Sequence, residues 1–346
     1  MASFHWMQSC SERLYQWLLL AYPSEFRQEY GQEMVQTFRD CYREEIDDGG
    51  TLRLFPFWST VFYDFVKSVT IEQFLQLRKL VLHDKEYHML NAPLQLQVAQ
   101  LTDIGRSRPT NEDNLLAVLP DNASIMNDKG ALFVVADGMG GHAYGELASE
   151  LAVNTIREVY YQDTSDDIPT ALGNAMQQAN TVIYEICQAK IKENPELQGK
   201  SMGTTCVAMV VKQHTLYIAN VGDSLAYLIT DQEIKQLAEN HSLVAQEVLK
   251  GNMTAEEALT SPSRNVITRC LGTKHQEEIY ISDPIQVKTD DILVLCTDGL
   301  HGQISETEMR LIVENNTPEE SSKKLIERAN ETGGPDNITA IVVKIA

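Results

Sequence analysis

Metal-type cysteine spacing, basic clusters and long apolar runs are all missing from this 346-residue chain, and each absence narrows the classes of function open to it. The six cysteines, Cys10, Cys41, Cys187, Cys206, Cys270 and Cys296, form no CxxC pair and read as buried, reduced thiols. The most apolar early piece, Trp17 to Ala21, is far too short for a membrane span, and the N-terminus has neither the basic start nor the cleavage site of a signal peptide. The expected location is the cytoplasm. Lysine and arginine total 28 against 49 acidic residues, a formal net charge of -21, which argues against nucleic acid or an anionic membrane as a bulk electrostatic partner. Such acidity suits a protein that binds divalent cations, and equally one that is merely soluble. There is no internal repeat and no low-complexity tract.

What is present divides into two textures. Trp6, Trp17 and Trp58, and about two thirds of all aromatic residues, fall before Asn91, in a quarter of the chain. There Phe26, Tyr30, Met34, Phe38 and Tyr42 recur every four residues, a helical stripe that opens after Pro23 and Ser24 and should stop near Asp48-Gly49-Gly50. A second stripe runs from Phe57 and Trp58 through Val61, Phe62, Phe65, Val66 and Val69 to Phe74, Leu77 and Leu80, with Pro56 at its start. This predicts a helical module over residues 1–82 and a linker over 83–93. From Leu94 to the C-terminus, short strand-like runs alternate with turn signals, and two consecutive helices are expected at Tyr144 to Tyr161 and Pro169 to Asn194. Two helices in succession between strands argue for an α+β layered fold of antiparallel strands with helix pairs outside.

The glycine turn of ALFVVADGMGGHAYGE fits a relaxed dinucleotide fingerprint, and Glu158 falls at the offset of a ribose-binding acid. The second helix and the crowding of a pyrophosphate by Asp137 argue against that reading. A comparison along the chain points elsewhere. LFVVADG ends at Asp137-Gly138, ILVLCTDG at Asp298-Gly299, TLYIANVGDS places Asp223 after a strand, and GGPDNITAIVV puts Asp336 before the last one. A single Asp-Gly is usually a turn. Four aspartates at the ends of buried-type strands can converge on one rim, where like charges raise each other's pKa and call for a cation. Oxygen-only ligands favour Mg²⁺ or Mn²⁺, and two such ions about 4 Å apart can activate a water and clamp a phosphoryl oxygen. A purely structural cation fits the same carboxylates. Arg108, five residues before Asp113, suits bidentate binding of a phosphate, and equally a surface ion pair.

TDIGRSRPTNEDN, VVADGMGGHAYGE, MGTTCVAMVV, ANVGDSLAYL, the segment around ENHSLVAQEVL, LCTDGLHGQIS and GGPDNITAIVV together resemble the metal-dependent type 2C protein Ser/Thr phosphatases, most closely their bacterial branch. The resemblance covers Leu94 to the C-terminus. It implies a central antiparallel β-sandwich flanked by pairs of helices, and hydrolysis of phosphoserine and phosphothreonine by a water held between two Mn²⁺ or Mg²⁺ ions. It further implies that Asp137 bridges both ions, the Gly138 carbonyl binds the second, Asp298 and Asp336 complete the first, and Asp223 helps hold a third. Arg108 matches the phosphate-binding arginine, and Glu112 and Asp113 an acidic pair at the metals, Asp113 acting from behind the ligands.

Two positions depart from the family pattern. Met139 stands where animal members place a histidine offered as general acid, and His142 belongs to a bacterial GGH signature at a helix start. Asn240 replaces the aspartate that commonly precedes His241-Ser242. The N-terminal LAYPSEFRQEYGQEMVQTFRDCYREE resembles a helical prefix found before the membrane part of some bacterial permease-type proteins, with no span following it here. It is expected to serve docking, dimerisation or regulation, or to cap the catalytic domain. Competing readings of the whole are a phosphatase dedicated to one regulatory phosphoprotein and a non-catalytic phosphoprotein-binding scaffold.

Overall fold

The computed structural model describes residues 2–49, 53–91, 94–140, 143–194 and 202–346. The chain separates into two units, Met1–Ala92 and Pro93–Ala346. The first is made of helices α1 (Ala2–Leu18), α2 (Ser24–Gly49) and α3 (Leu54–Asn91). Pro23 sits just ahead of α2, and the four-residue aromatic period of α2 turns Phe38 and Tyr42 inward, where both are buried. Phe38 stacks on Tyr15 of α1, ring centroids 4.3 Å apart, and meets Phe57 and Trp58 of α3 at 5.6 and 5.4 Å. Arg39 pairs with Glu12 between α1 and α2.

Residues 83–93, expected as a linker, are helical as far as Asn91. No glycine or proline lies between Pro56 and Pro93, so nothing interrupts the backbone ladder. Cys187, Cys206 and Cys296 are buried, but Cys10 and Cys41 are exposed, against expectation, and Cys270 is partly so. A three-helix unit has little interior, and here aromatic rings fill it. No helix among the described residues is long and apolar enough to cross a membrane.

The second unit contains strands β1 (Leu96–Asp103), β2 (Asp113–Val118), β3 (Ala131–Met139), β4 (Gly203–Thr204), β5 (Cys206–Lys212), β6 (Thr215–Val221), β7 (Leu225–Ile229), β8 (Ile234–Gln236), β9 (Tyr280–Ile281), β10 (Ile285–Gln286), β11 (Ile292–Cys296) and β12 (Ile338–Ile345). Its helices are α4 (Ala123–Lys129), α5 (Ala143–Gln162), α6 (Ile168–Glu193), α7 (Leu243–Leu249), α8 (Ala255–Thr260), α9 (Asp298–His301), α10 (Glu306–Glu314) and α11 (Pro318–Glu331). One antiparallel sheet runs β1-β12-β11-β7-β8 and the other β10-β6-β5-β3-β2, with β4 on β3 and β9 on β6.

Strand alternation makes the layers. Phe133, Val135, Val207 and Met209 face the core between the sheets with Val294 and Val342, while Leu132, Val134, Ala208 and Val210 face Ile156, Leu172 and Met176 of α5 and α6. Near-continuous apolar strands such as LFVV and VAMVV are required because both faces of these strands are buried. Leu325 and Ile326 of α11 and Met309 of α10 join the first core from the far side. The α+β sandwich with helix pairs outside, expected above, is the observed architecture.

Register decides where the aspartates meet. Asp113, opening β2, pairs directly with Asp137 near the end of β3, and Asp103, ending β1, pairs with Ile338, opening β12. Asp298 follows the end of β11, and β11 pairs with β12 from the opposite side. Gly222 and Asp223 follow the end of β6. The strand ends that carry Asp113, Asp137, Asp223, Asp298 and Asp336 therefore share one rim.

Close backbone contacts lock that rim. Gly105 has φ +78°, and a Cβ there would lie 2.1 Å from the Asp336 carbonyl oxygen. Arg106 N–H donates to the Gly334 carbonyl beside it at 2.7 Å. Gly105→Ala is expected to cost about 1–3 kcal/mol through the left-handed backbone alone, with the collision in addition. Denaturant unfolding of purified protein measures it, and an unchanged midpoint would contradict the packing.

Candidate active site

Asp113 is the most tightly framed of the five carboxylates. Its Oδ2 accepts hydrogen bonds from the Thr297 hydroxyl at 2.9 Å and the Thr339 hydroxyl at 2.7 Å. Thr339 in turn accepts from Thr102, which accepts from Asn111 Nδ2 at 2.8 Å. The other oxygen of Asp113 is buried with no partner in the protein, and so is Oδ1 of Asp298. Buried acceptors left open in this way are costly unless a cation or water meets them.

The electrostatics agree. Burial, opposed by the two threonine hydroxyls and reinforced by Asp298 and Asp336, pushes Asp113 up to about 7. Burial, with the charges of Asp298 and Asp336, pushes Asp223 up to about 7 as well. Asp137 is raised well above the usual carboxylate range, first by burial and then by Asp113, Asp298, Asp223 and Asp336. Asp298 is raised too, chiefly by burial and against the nearby His301. A divalent cation reverses all of these shifts at once.

Arg108 is the counter-charge already present. Its Nη2 donates to Asp336 Oδ2 at 2.6 Å, with the guanidinium side chain 49% exposed. Burial, the largest influence, lowers its pKa, but the hydrogen bond and charge of Asp336, with Asp137 and Glu112 behind, outweigh it. No three Asp, Glu, His or Cys side chains among the described residues are closed into a metal cage. With Asp336 turned to Arg108, the acidic rim stays open while its carboxylates remain coupled.

The backbone at Asp137-Gly138 is held from three directions. The Asp137 carbonyl accepts from Thr205 N–H and the Thr204 hydroxyl, each at 2.8 Å, and Gly138 N–H donates to the Glu112 carbonyl at 3.1 Å. A Cβ on Gly138 would lie 2.1 Å from the Gly145 carbonyl, and one on Gly145 would lie 2.3 Å from Glu112 Oε2. Glu112 thus packs its carboxylate against the first turn of α5, where the helix dipole favours it. Met139 is half-buried and pairs with Gly203. His142 lies outside the described residues.

Asn337 was not singled out from sequence, yet it braces the loop that carries Arg108. Its Oδ1 accepts from Glu112 N–H, and its Nδ2 donates to the carbonyls of Ile104 and Thr110, all at 2.9 Å. Thr297 and Thr339 were likewise missed. All three stand inside quoted motifs, one residue before or within three residues after a site aspartate, and that adjacency was the available signal. Asp223, Asp298 and Asp336 open onto a cleft of about 720 Å³ lined by Arg108 and His301 beside them and by Asn240, Val244, Val248, Leu249, Ala258 and Arg264 on the other side.

Residues 111–341 match the family described as Protein phosphatase 2C. The Listeria monocytogenes serine/threonine phosphatase stp is 36% identical over 248 residues, covering 70% of this chain and 93% of that protein. The Mycobacterium tuberculosis serine/threonine protein phosphatase PstP is 33% identical over 258 residues, 74% of this chain and 46% of that one. Among solved structures, the PstP catalytic domain in complex with two manganese ions superposes with a TM-score of 0.61 at 31% identity, covering 73% of this chain and all of that one. The serine/threonine phosphatase of S. agalactiae gives a TM-score of 0.64 at 28% identity over the same share. With an acidic rim suited to hard divalent ions, the chain belongs to the protein phosphatase 2C family and is a Mn²⁺- or Mg²⁺-dependent protein serine/threonine phosphatase.

Proposed function

We propose that Asp137, the Gly138 carbonyl, Asp298 and Asp336 hold the two catalytic ions, that Asp223 helps hold a third, and that Arg108 binds the phosphoryl group. The observation that carries this reading is the meeting of five carboxylates at one rim, with buried oxygens of Asp113 and Asp298 left without a partner in the protein. When bound, the ions supply a water acidic enough to act as nucleophile near neutral pH and positive charge to offset the phosphoryl oxygens. The protein's own groups do the rest. Thr297 and Thr339 keep Asp113 oriented, and Asn337 holds the 104–112 loop so that Arg108 faces the cleft. Asp336 is shared: Arg108 donates to its Oδ2 here, and with Asp336 turned to a bound ion instead, the guanidinium would be free to bind the substrate oxygens. No imidazole stands at position 139, so the leaving serine or threonine takes its proton from solvent in the cleft.

The substrates are phosphorylated proteins, the products of a serine/threonine kinase, in a cytoplasmic bacterial signalling circuit. The helical unit over Met1–Ala92 selects the partner. Trp17, Phe62 and Tyr63 stand 68%, 53% and 68% exposed there, large aromatic side chains available to a protein contact. That arrangement favours a phosphatase dedicated to one regulatory phosphoprotein over a general one. A non-catalytic scaffold is disfavoured because every metal-type carboxylate is retained.

Asp137→Asn or Asp298→Asn is expected to lower Mn²⁺-dependent phosphate release from a phosphopeptide by a hundred- to a thousandfold or more. Near-normal turnover in both variants would remove the mechanism. Removing residues 1–92 should leave that peptide activity intact while the cellular phosphoprotein target, followed by phosphoproteomics, stays phosphorylated. Equal effects on both substrates would remove the docking role.

The metal-free protein should also show a pH signature. Asp113 and Asp223 rise from an ordinary 3.8 to about 7 on folding, so the folded state binds their protons more tightly than the unfolded one. Their contribution is fully present below about 4 and is lost as pH climbs through 7. Thermal unfolding of chelator-treated protein is therefore expected at falling temperature between pH 5 and 8, with Mn²⁺ flattening the trend and releasing protons on binding. A metal-free melting temperature that rises over this range would contradict the carboxylate coupling.

A further inference from the structure

The turn that presents Asp223 is gripped from two sides by histidines. His301 Nε2 donates to the Asp223 carbonyl at 2.9 Å from α9. On the other side the contact comes from the segment Leu237–Leu271, which carries α7 and α8 and forms the far wall of the cleft. His241 N–H donates to the Gly222 carbonyl at 2.9 Å, and Gly222 N–H donates back to His241 Nδ1 at 3.0 Å. This reciprocal pair uses both backbone groups of the residue immediately before Asp223.

Gly222 has little freedom of its own. Its φ is +108°, and a Cβ would lie 2.5 Å from the Thr205 side chain. Its peptide plane, and so the direction in which Asp223 leaves the turn, follows the groups that hydrogen-bond it. His241 is itself immobilised: the ring is buried, and its carbonyl accepts from both the Thr268 N–H at 2.8 Å and the Thr268 hydroxyl at 2.7 Å. Arg269 Nη1 lies 3.1 Å from Nε2 and is anchored to Glu278 at 2.9 Å. Because Nδ1 accepts from Gly222, the neutral ring carries its hydrogen on Nε2, 3.6 Å from a Glu239 carboxylate oxygen, and the Arg269 guanidinium beside it acts as a neighbouring charge and not as a hydrogen-bond partner. Burial and the Arg269 charge keep the ring neutral.

We propose that His241 is the positioning residue for Asp223: its Nδ1 fixes the Gly222 peptide, aims the Asp223 carboxylate into the cleft, and ties the 237–271 wall to the ion held there. This rests on the assignment of Asp223 to a metal ion, which the same experiment tests separately. The coupling runs in both directions, since an ion that orders Asp223 also orders the wall through Gly222 and His241.

Mn²⁺ titration calorimetry on the full chain, with wild type and Asp223→Asn as references, provides the test. Asp223→Asn should weaken or abolish the weakest Mn²⁺ event; if it leaves all events intact, the metal role of Asp223 fails and the proposal with it. His241→Ala should weaken that same event by about tenfold, the usual cost of losing a group that orients a ligand. His241→Asn, whose Oδ1 occupies the Nδ1 position, should restore it, and His241→Gln, which reaches the Nε2 position instead, should not. The Asn and Gln variants decide the matter even where the Ala variant does not fold. KM for a phosphopeptide, which must touch the wall, should rise more in His241→Gln than KM for p-nitrophenyl phosphate. Asn and Gln variants that bind Mn²⁺ alike, or an altered Asp223→Asn titration beside a normal His241→Ala one, would overturn the proposal.

Discussion

Mutual repulsion among Asp113, Asp137, Asp223, Asp298 and Asp336 is the constraint around which the catalytic unit is organised. Burial and like charge push Asp137 far from its ordinary range and hold Asp113 and Asp223 near 7, so without a cation the rim grows more costly as pH rises through neutrality. The fold tolerates this because the carboxylates sit on the ends of strands whose middles are fully apolar and buried on both faces. Strain at the rim is thus offset by packing in the layer beneath it. Hydroxyl groups, which can donate without adding charge, are the neutral part of the solution: Thr297 and Thr339 satisfy one oxygen of Asp113 and leave the other open.

Precision at the rim comes from backbone contacts more than from side chains. Gly105 against the Asp336 carbonyl, Gly138 against the Gly145 carbonyl and Gly299 against the Asn337 carbonyl are approaches that no Cβ could share. Each joins the segment holding one site aspartate to another segment of the site. A displacement of one strand end is therefore transmitted to the others, which is what a shared ion site needs from its scaffold. The glycines of Asp137-Gly138 and Asp298-Gly299 serve this close approach, and neither has a positive φ.

Much of this was readable from the sequence because the signal was local. An apolar run with an aspartate at its end marks a strand end, and three aspartates after such runs with a fourth before one point to a shared rim. Asn337, Thr297 and Thr339 were not legible in the same way. Their roles depend on which strand lies beside which, and an Asn or Thr near an aspartate is equally at home in a turn. The 83–93 segment differs for another reason: a change in composition is not a break in structure, and no glycine or proline stands in it before Pro93. Exposure of Cys10 and Cys41 followed from how little interior three helices enclose, a tertiary fact that spacing does not encode.

The charge balance of the cleft bears on substrate capture as well as on chemistry. Its lining holds two cationic side chains, Arg108 and Arg264, against five acids, Asp223, Glu239, Asp298, Glu306 and Asp336, in a chain whose net charge is -21. A phosphoryl group approaching that cleft meets repulsion, which salt screens only beyond a Debye length of about 8 Å. Arg108 cannot offset it alone while it is paired with Asp336. Two divalent ions add four positive charges, enough to turn the local sign from repulsive to attractive. Cation occupancy and phosphate binding are thus linked by electrostatics before any bond changes, and the acidity of the protein makes that link obligatory.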